Sequence, residues 1–226
     1  MSMFNSLLLQ DMYNLVGVEC YLFHDYAMAL LLLILVGFLL IMWGMVETGN
    51  YYVNKYSFSN MLEFVWTVIP AFFLFSLGVP SLCLMYYMEG ANSSDLTLKV
   101  IGHQWYWSYE INDFGGEVSL DSYMTPTKSL PIGGYRTLEV DNSLVLPMLS
   151  NIRVLVTSSD VLHSWALPSM GMKVDACPGR LNLMSLMSMR PGVIFGQCSE
   201  ICGVNHSFMP IKVEFVDWVT FLKSNL

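Results

Sequence analysis

Two long stretches without a charged residue constrain this chain more than any other feature of its sequence. Tyr26 to Val46 is 21 residues between Asp25 and Glu47, and Phe64 to Met88 is 25 residues between Glu63 and Glu89. At about 1.5 Å of rise per residue, a helix of ~20 residues covers roughly 30 Å, the hydrocarbon thickness of a bilayer. The second stretch contains Pro70 and Pro80, which membrane helices tolerate better than soluble ones because neighbouring groups satisfy the freed backbone. The alternative for each is a core helix, but core helices rarely run so long without charge. Composition agrees with lipid exposure. Charged residues make up 12% of the 226, about half the ~25% usual in soluble domains, and the mean hydropathy is +0.51. The net charge of −8, from 10 bases and 18 acids, argues against nucleic-acid binding, which needs a basic face. Five cysteines are too few for a disulfide scaffold. Residues 1–25 hold no Lys or Arg, so an uncleaved secretory or mitochondrial targeting peptide is not expected there.

The order of segments predicts a topology. Residues 1–25 form an N-terminal outer-side segment, 26–46 and 64–88 two transmembrane helices, and 47–63 a polar linker. So short a linker makes the helices an antiparallel hairpin with both chain termini on one side. The linker holds Lys55, whereas residues 1–25 hold three acids and no base. The excess of positive charge on inner loops then places the linker inside and both termini outside.

From residue 89 onward the pattern changes from continuous to alternating apolarity. LTLKVI (96–101), WYWSYEI (105–111), TLEV (137–140), IRVLVT (152–157) and IKVEFV (211–216) read as strands. Turn signals NDFGG, PIGGY, CPGR and RPG lie between them. Short strands between Gly/Pro turns, with no helical periodicity, predict an all-β antiparallel sandwich or barrel over residues 89–226.

The chemistry concentrates in residues 195–210, FGQCSEICGVNHSFMP, which carry Cys198, Glu200, Cys202, His206 and Met209. Thiolate, imidazole and thioether are soft or borderline ligands that select copper or zinc over calcium or magnesium. His163, in DVLHSW after the strand IRVLVT, is a further candidate ligand. One distant His plus a Cys…His…Met loop is the layout of cupredoxin copper sites. Here the loop has two cysteines, and two thiolates four residues apart suit a bridged copper pair. Sharing two soft sulfurs delocalises charge and lowers the reorganisation that accompanies electron arrival. A Cys₂His₂ zinc site from Cys198, Cys202, His206 and His163 is the alternative, although zinc has no use for Met209. A Cys198–Cys202 disulfide is another. Cys20, Cys83 and Cys177 read as unpaired thiols.

The segments CSEICGVNHSFMP, DVLHSWALPSMGMKVDACPGRLN, IGHQWYWSYE and WTVIP (66–70) together resemble the cytochrome c oxidase subunit II family. The resemblance runs over nearly the whole chain, and the combination is specific. Nitrous oxide reductase shares the copper loop without the membrane hairpin, and quinol oxidase subunit II has the hairpin without the two cysteines. The resemblance implies a two-helix transmembrane hairpin followed by a cupredoxin-like Greek-key sandwich or barrel. It implies a dinuclear CuA centre on His163, Cys198, Cys202, His206, Met209 and the Glu200 backbone carbonyl. It also implies Mg²⁺ on the Glu200 carboxylate at the interface with subunit I.

Further implied roles are electron entry from cytochrome c at Trp105, docking of cytochrome c by Glu110, Asp113, Glu117, Asp121 and Asp160, and a proton-path entrance at Glu63. The implied activity is that of the electron-entry subunit of an oxidase, relaying electrons to haem in subunit I for reduction of oxygen to water. The other oxidase subunits would be its partners. Its place would be the mitochondrial inner membrane, with both termini and the C-terminal domain in the intermembrane space; a bacterial plasma membrane is the alternative. A membrane-anchored copper carrier and a structural zinc protein are the rival functions. One turn departs from the family: NDFGGEVSLDS (112–122) has an extra residue and two Gly where acids are frequent, which weakens the docking reading there.

Overall fold

The computed structural model describes residues 9–48, 59–89, 93–113 and 118–224. Two helices come first, α1 (Leu15–Thr48) and α2 (Asn60–Glu89). Both are long and apolar enough to cross a membrane. Their large side chains face outward, including Leu31 to Val36, Phe72, Leu74 and Phe75. A soluble core helix buries such residues; these expose them, as lipid-facing helices do. α1 begins eleven residues before the expected 26, so Leu15 to Asp25 is helical rather than an irregular segment. Nothing between Leu15 and Asp25 breaks a helix, since Pro is absent. α2 is started by Ser59, whose hydroxyl accepts from the Leu62 amide at 3.4 Å while its carbonyl accepts from Glu63 N at 3.0 Å. Residues 49–58, with Lys55, lie outside the described residues.

The β domain is described by itself. Its strands are β1 (Leu96–His103), β2 (Tyr106–Ile111), β3 (Val118–Ser122), β4 (Leu144–Pro147), β5 (Ile152–Ser158), β6 (His163–Leu167), β7 (Met172–Ala176), β8 (Asn182–Leu186), β9 (Gly192–Gln197) and β10 (Pro210–Val216). A short helix α3 (Trp218–Ser224) follows. The strands form a five-stranded sheet β3-β2-β1-β5-β8, a three-stranded sheet β4-β10-β9 and the ribbon β6-β7. The expectation of antiparallel sheets needs correction, because β1 pairs with β5 and β4 with β10 in parallel. Parallel neighbours need long crossovers, and the chain between β1 and β5 supplies one. In β5, alternation puts Ile152, Val154 and Val156 on one face. Register pairs Leu96 with Ile152, Leu98 with Val154 and Val100 with Val156, and all six are buried. Ile211, Val213 and Phe215 of β10 join the same core.

TLEV is not a strand. Thr137 has φ +65°, and the amides of Leu138 and Glu139 turn back to the Tyr135 carbonyl at 3.2 Å. A β-branched residue in the left-handed region breaks an extended run, so only Val140 pairs, in an isolated bridge to Met124. The residues just before α1 also belong to this domain. Tyr13 donates its amide to the Ser169 carbonyl and accepts from Met189 N, both at 2.8 Å. The Arg190 guanidinium lies 4.1 Å from the centre of the Tyr13 ring.

The layer contact that matters most for the site is between β6 and β9. A Cβ on Gly196 would fall 1.9 Å from the Ala166 carbonyl oxygen. Glycine therefore lets β9 lie against β6 and brings the start of one beside the end of the other. Gly196→Ala must separate two backbones rather than move a side chain. We expect it to destabilise the chain by about 3 kcal/mol, the upper end of ordinary overpacking. Urea unfolding in detergent monitored by Trp fluorescence measures this; an unchanged midpoint would contradict the close packing.

Candidate metal centre

His163 opens β6, and Cys198 directly follows β9. The β6–β9 contact therefore sets them side by side. Ser199 N donates to the Ser164 carbonyl at 3.0 Å and fastens the loop after β9 to β6. One ligand atom each of His163, Cys198 and Cys202 lies within 4.8 Å of the others, and all three residues are buried. The two sulfurs are 4.0 Å apart. Both cysteines are free, which removes the disulfide alternative. Cys198 Sγ is 3.8 Å from His163 Nδ1 and 3.3 Å from the Glu200 carbonyl. Cys202 Sγ is 3.5 Å from His206 Nδ1 and 3.4 Å from Met209 Sδ. Each sulfur thus has one imidazole and one weaker donor beside it.

The surroundings orient these groups. His163 Nε2 lies 2.8 Å from Asp160 Oδ1. An ionised carboxylate only accepts, so Nε2 carries a proton, and Nδ1 is the nitrogen that faces Cys198. A Cβ on Gly102 would meet the His163 ring at 2.9 Å, so only glycine leaves room for the imidazole. The buried Trp107 indole donates to the Met209 carbonyl at 3.2 Å and stands edge-on to His163 at 5.9 Å. Gln104 donates its side-chain amide to the Cys202 carbonyl at 2.7 Å. Composition did not single out Gly102, Gln104 or Trp107 for the site. Their signal lay in IGHQWYWSYE, where a glycine and an amide interrupt an aromatic strand.

Electrostatics separates the two thiols. Burial pushes Cys198 up, but hydrogen bonds from His163, the Ser164 amide and the Glu200 region outweigh it and bring the thiol down to about 7. Burial and the neighbouring Cys198 push Cys202 up to about 12. Burial draws the His163 imidazole down, yet its bonds to Cys198 and Asp160 leave it above its ordinary value. Burial raises Asp160, while bonds from His163, Val161 and Gln104 bring it below the usual carboxylate range.

The other expected site residues fall in different places. Trp105 is not in β2 but in the turn before it, half-buried, and its indole N–H is buried without a hydrogen-bond partner among the described residues. Within the strand the side chains alternate: Trp107 and Tyr109 are buried and Tyr106 faces the other way. Glu200 exposes its side chain while its carbonyl turns to Cys198. Glu63 is an exposed acid in the first turn of α2, where it complements the helix dipole. Of the acids expected to dock a partner, Glu110 pairs with Lys99 at 2.8 Å. Asp113 accepts from Thr97 N, and Asp121 from Ser108 Oγ at 2.6 Å. Asp160 holds His163, and Glu117 lies outside the described residues.

Family models match along most of the chain. One, described as the cytochrome c oxidase subunit II transmembrane domain, covers residues 4–84; the other, the subunit II periplasmic domain, covers 96–216. The chain belongs to the cytochrome c oxidase subunit II family. It is 48% identical to cytochrome c oxidase subunit 2 of Drosophila yakuba, over 99% of this chain and 97% of that one. It is 50% identical to the subunit of Oncopeltus fasciatus, over 95% and 93%. Among solved structures, the periplasmic domain of subunit II from Bradyrhizobium japonicum is 44% identical, with TM-score 0.55, covering 60% of this chain and 94% of that one. Family and fold agree with a membrane-bound oxidoreductase subunit with a cupredoxin-like domain. The His163–Cys198–Cys202 cluster is compatible with a CuA site.

The separated thiols give a direct test in the metal-free subunit. Its ultraviolet thiolate absorbance should rise near pH 7 as Cys198 ionises and again only at strongly alkaline pH as Cys202 does. Cys198→Ser should remove the first step. A single step for both thiols near the ordinary thiol value would contradict the asymmetry.

Proposed function

We propose that this chain is the electron-entry subunit of a cytochrome c oxidase, with a dinuclear copper centre on His163, Cys198, Cys202, His206, Met209 and the Glu200 carbonyl. The observation that carries this is the donor set: two thiols 4.0 Å apart, each flanked by an imidazole and a weaker donor. A zinc site would use four of these groups and leave the Met209 thioether, 3.4 Å from Cys202, without a task. When bound, a dinuclear copper centre supplies one-electron storage spread over two metals, on the way from cytochrome c to haem in subunit I and oxygen.

The chain's own residues do the rest. Asp160 fixes the tautomer of His163, and the buried walls exclude water from the sulfurs, which keeps reorganisation small. Trp105 is the entry residue in this reading. Its indole lies 3.2 Å from the position of a Cβ on Gly203, so it packs on the loop one residue past Cys202. Outer acids steer the partner: residues from Glu89 onward hold 13 acids against nine bases, which attracts a basic partner. The Glu200 carboxylate, exposed beside its inward carbonyl, is free to hold Mg²⁺ against subunit I, since that ion prefers hard oxygen. Glu63 at the start of α2 would open the proton path.

The membrane assignment is the mitochondrial inner membrane, with both termini and the domain in the intermembrane space. Residues 47–63 would face the matrix. Its support is that Tyr13, before α1, hydrogen-bonds to the domain that follows α2, so both lie on one side.

The purified oxidase tests the copper assignment by electron paramagnetic resonance. Cys198→Ser or Cys202→Ser should abolish the mixed-valence signal, and Met209→Leu should retain it with altered parameters, because an axial thioether tunes rather than holds copper. Equal loss in all three would remove Met209 from the axial role, and no signal in the unmutated protein would remove copper itself. For electron entry, Trp105→Phe should slow transfer within the docked complex by about tenfold or more with little change in affinity or salt dependence. Asp160→Asn is not a pure docking probe, because that carboxylate also holds His163. Stopped-flow reduction across a salt series reads both; an effect of Trp105→Phe on affinity alone would make it a packing residue.

A further inference from the structure

Gln104 is an exposed residue in the turn between β1 and β2. An exposed turn glutamine ordinarily does little, but this one makes two bonds in opposite directions. Its backbone N–H donates to Asp160 Oδ2 at 2.6 Å, and the other oxygen of that carboxylate holds His163 Nε2 at 2.8 Å. Its side-chain amide donates to the Cys202 carbonyl at 2.7 Å. The two halves of the donor set come from segments far apart in sequence, the start of β6 and the loop after β9. Gln104 reaches the first through Asp160 and the second directly.

The contacts around it point the same way. The indole of Trp105 and the amide of Gln104 both lie against Gly203, where a Cβ would fall 3.2 Å from each. Gly203 has φ +127°, a conformation few side chains permit, so the loop turns there with the β1–β2 turn as its outer wall. Trp107, just beyond in β2, holds the Met209 carbonyl. The ligand loop is thus fixed at Cys202 and Met209 by two side-chain N–H donors from one hairpin. Trp107 is buried at its end; Gln104 is the member that a substitution can remove without opening the core.

Resting on the metal-centre reading above, we propose that Gln104 is a positioning residue, a two-ended brace that sets the spacing between the His163 side and the Cys202 side of the centre. Its amide N–H is the working atom. The carbonyl it holds belongs to a proposed ligand, so losing the bond frees the Cys202 backbone to shift. Groups that orient metal ligands from behind typically change metal affinity by ~10–100-fold when removed. The brace also joins the turn carrying Trp105 to the loop carrying Cys202, so both should respond together.

The test compares Gln104→Leu, which keeps the bulk and removes the donor, with Gln104→Lys, which returns an N–H donor of similar reach. Both are made in the full-length chain within the assembled oxidase. Copper release to a chelator should be about tenfold faster in Gln104→Leu than in the unmutated protein, with an altered copper hyperfine pattern. Gln104→Lys should recover most of both. Amide hydrogen exchange of residues 198–209 in the metal-free chain should be faster in Gln104→Leu by about fivefold or more, the loss of one hydrogen bond. Unchanged release, spectrum and exchange in Gln104→Leu would overturn the brace, as would equal defects in Gln104→Leu and Gln104→Lys. The exchange arm needs no copper. An unmutated chain that binds no copper pair would therefore sink the metal-centre reading, while the exchange result still decides whether Gln104 holds the loop.

Discussion

Two buried thiols 4.0 Å apart are the constraint to which the rest of the domain answers. Sulfurs that close repel when ionised and are poorly solvated when buried, so one thiolate is favoured and the second is opposed. The environments of the two thiols differ in that sense: hydrogen bonding draws Cys198 down toward 7, while burial and the neighbouring Cys198 drive Cys202 up toward 12. Such a pair is stable in both ionised forms only with cations between or beside them. Further donors surround the pair: imidazoles on both sides, a thioether at Cys202 and a carbonyl at Cys198.

The supporting structure explains why the surface near the site is so full of dual-purpose residues. Asp160 looks from sequence like a docking acid, yet its two oxygens are committed to His163 and to the Gln104 amide. Glu110, Asp113 and Asp121 are likewise engaged within the domain. Exposed ion pairs contribute little to stability, so these bonds fix local conformation more than they add free energy. Under the proposed reading, the charge that would steer a basic partner is the summed excess of acids.

Much of the design was legible beforehand. Two apolar runs without charge dictate helices that face lipid, because backbone groups there can be satisfied only within the helix. Period-two alternation gave the strands β1, β5 and β10, and for β5 and β10 the buried faces as well. The cysteine loop and His163 stood out because soft ligands at short spacing are rare by chance. The failures have physical causes too. TLEV alternates like a strand, but the local backbone at Thr137 turns away. β6 escaped notice because all five of its residues are buried and carry no alternation. β8 and β9 also went unread: in NLMSL and GVIFGQ apolar residues fall on both faces, with Leu183 and Val193 exposed, so residue type shows no period of two.

By itself, then, the sequence determined that the chain crosses a bilayer twice, that a β domain follows, and which side chains are chemically able to hold a soft metal. Those are matters of residue type and local period, which a linear chain carries in full. Only the tertiary structure decided that β1 and β5 run parallel, that Gly196 lets β6 lie on β9, and that Trp105 rests on the ligand loop rather than in a strand. It alone showed that Asp160 faces His163 and that Gln104 reaches Cys202, partners separated by 98 positions. Such pairings depend on which strand lies against which. That choice is made by the packing of the whole core, and no local stretch of sequence encodes it.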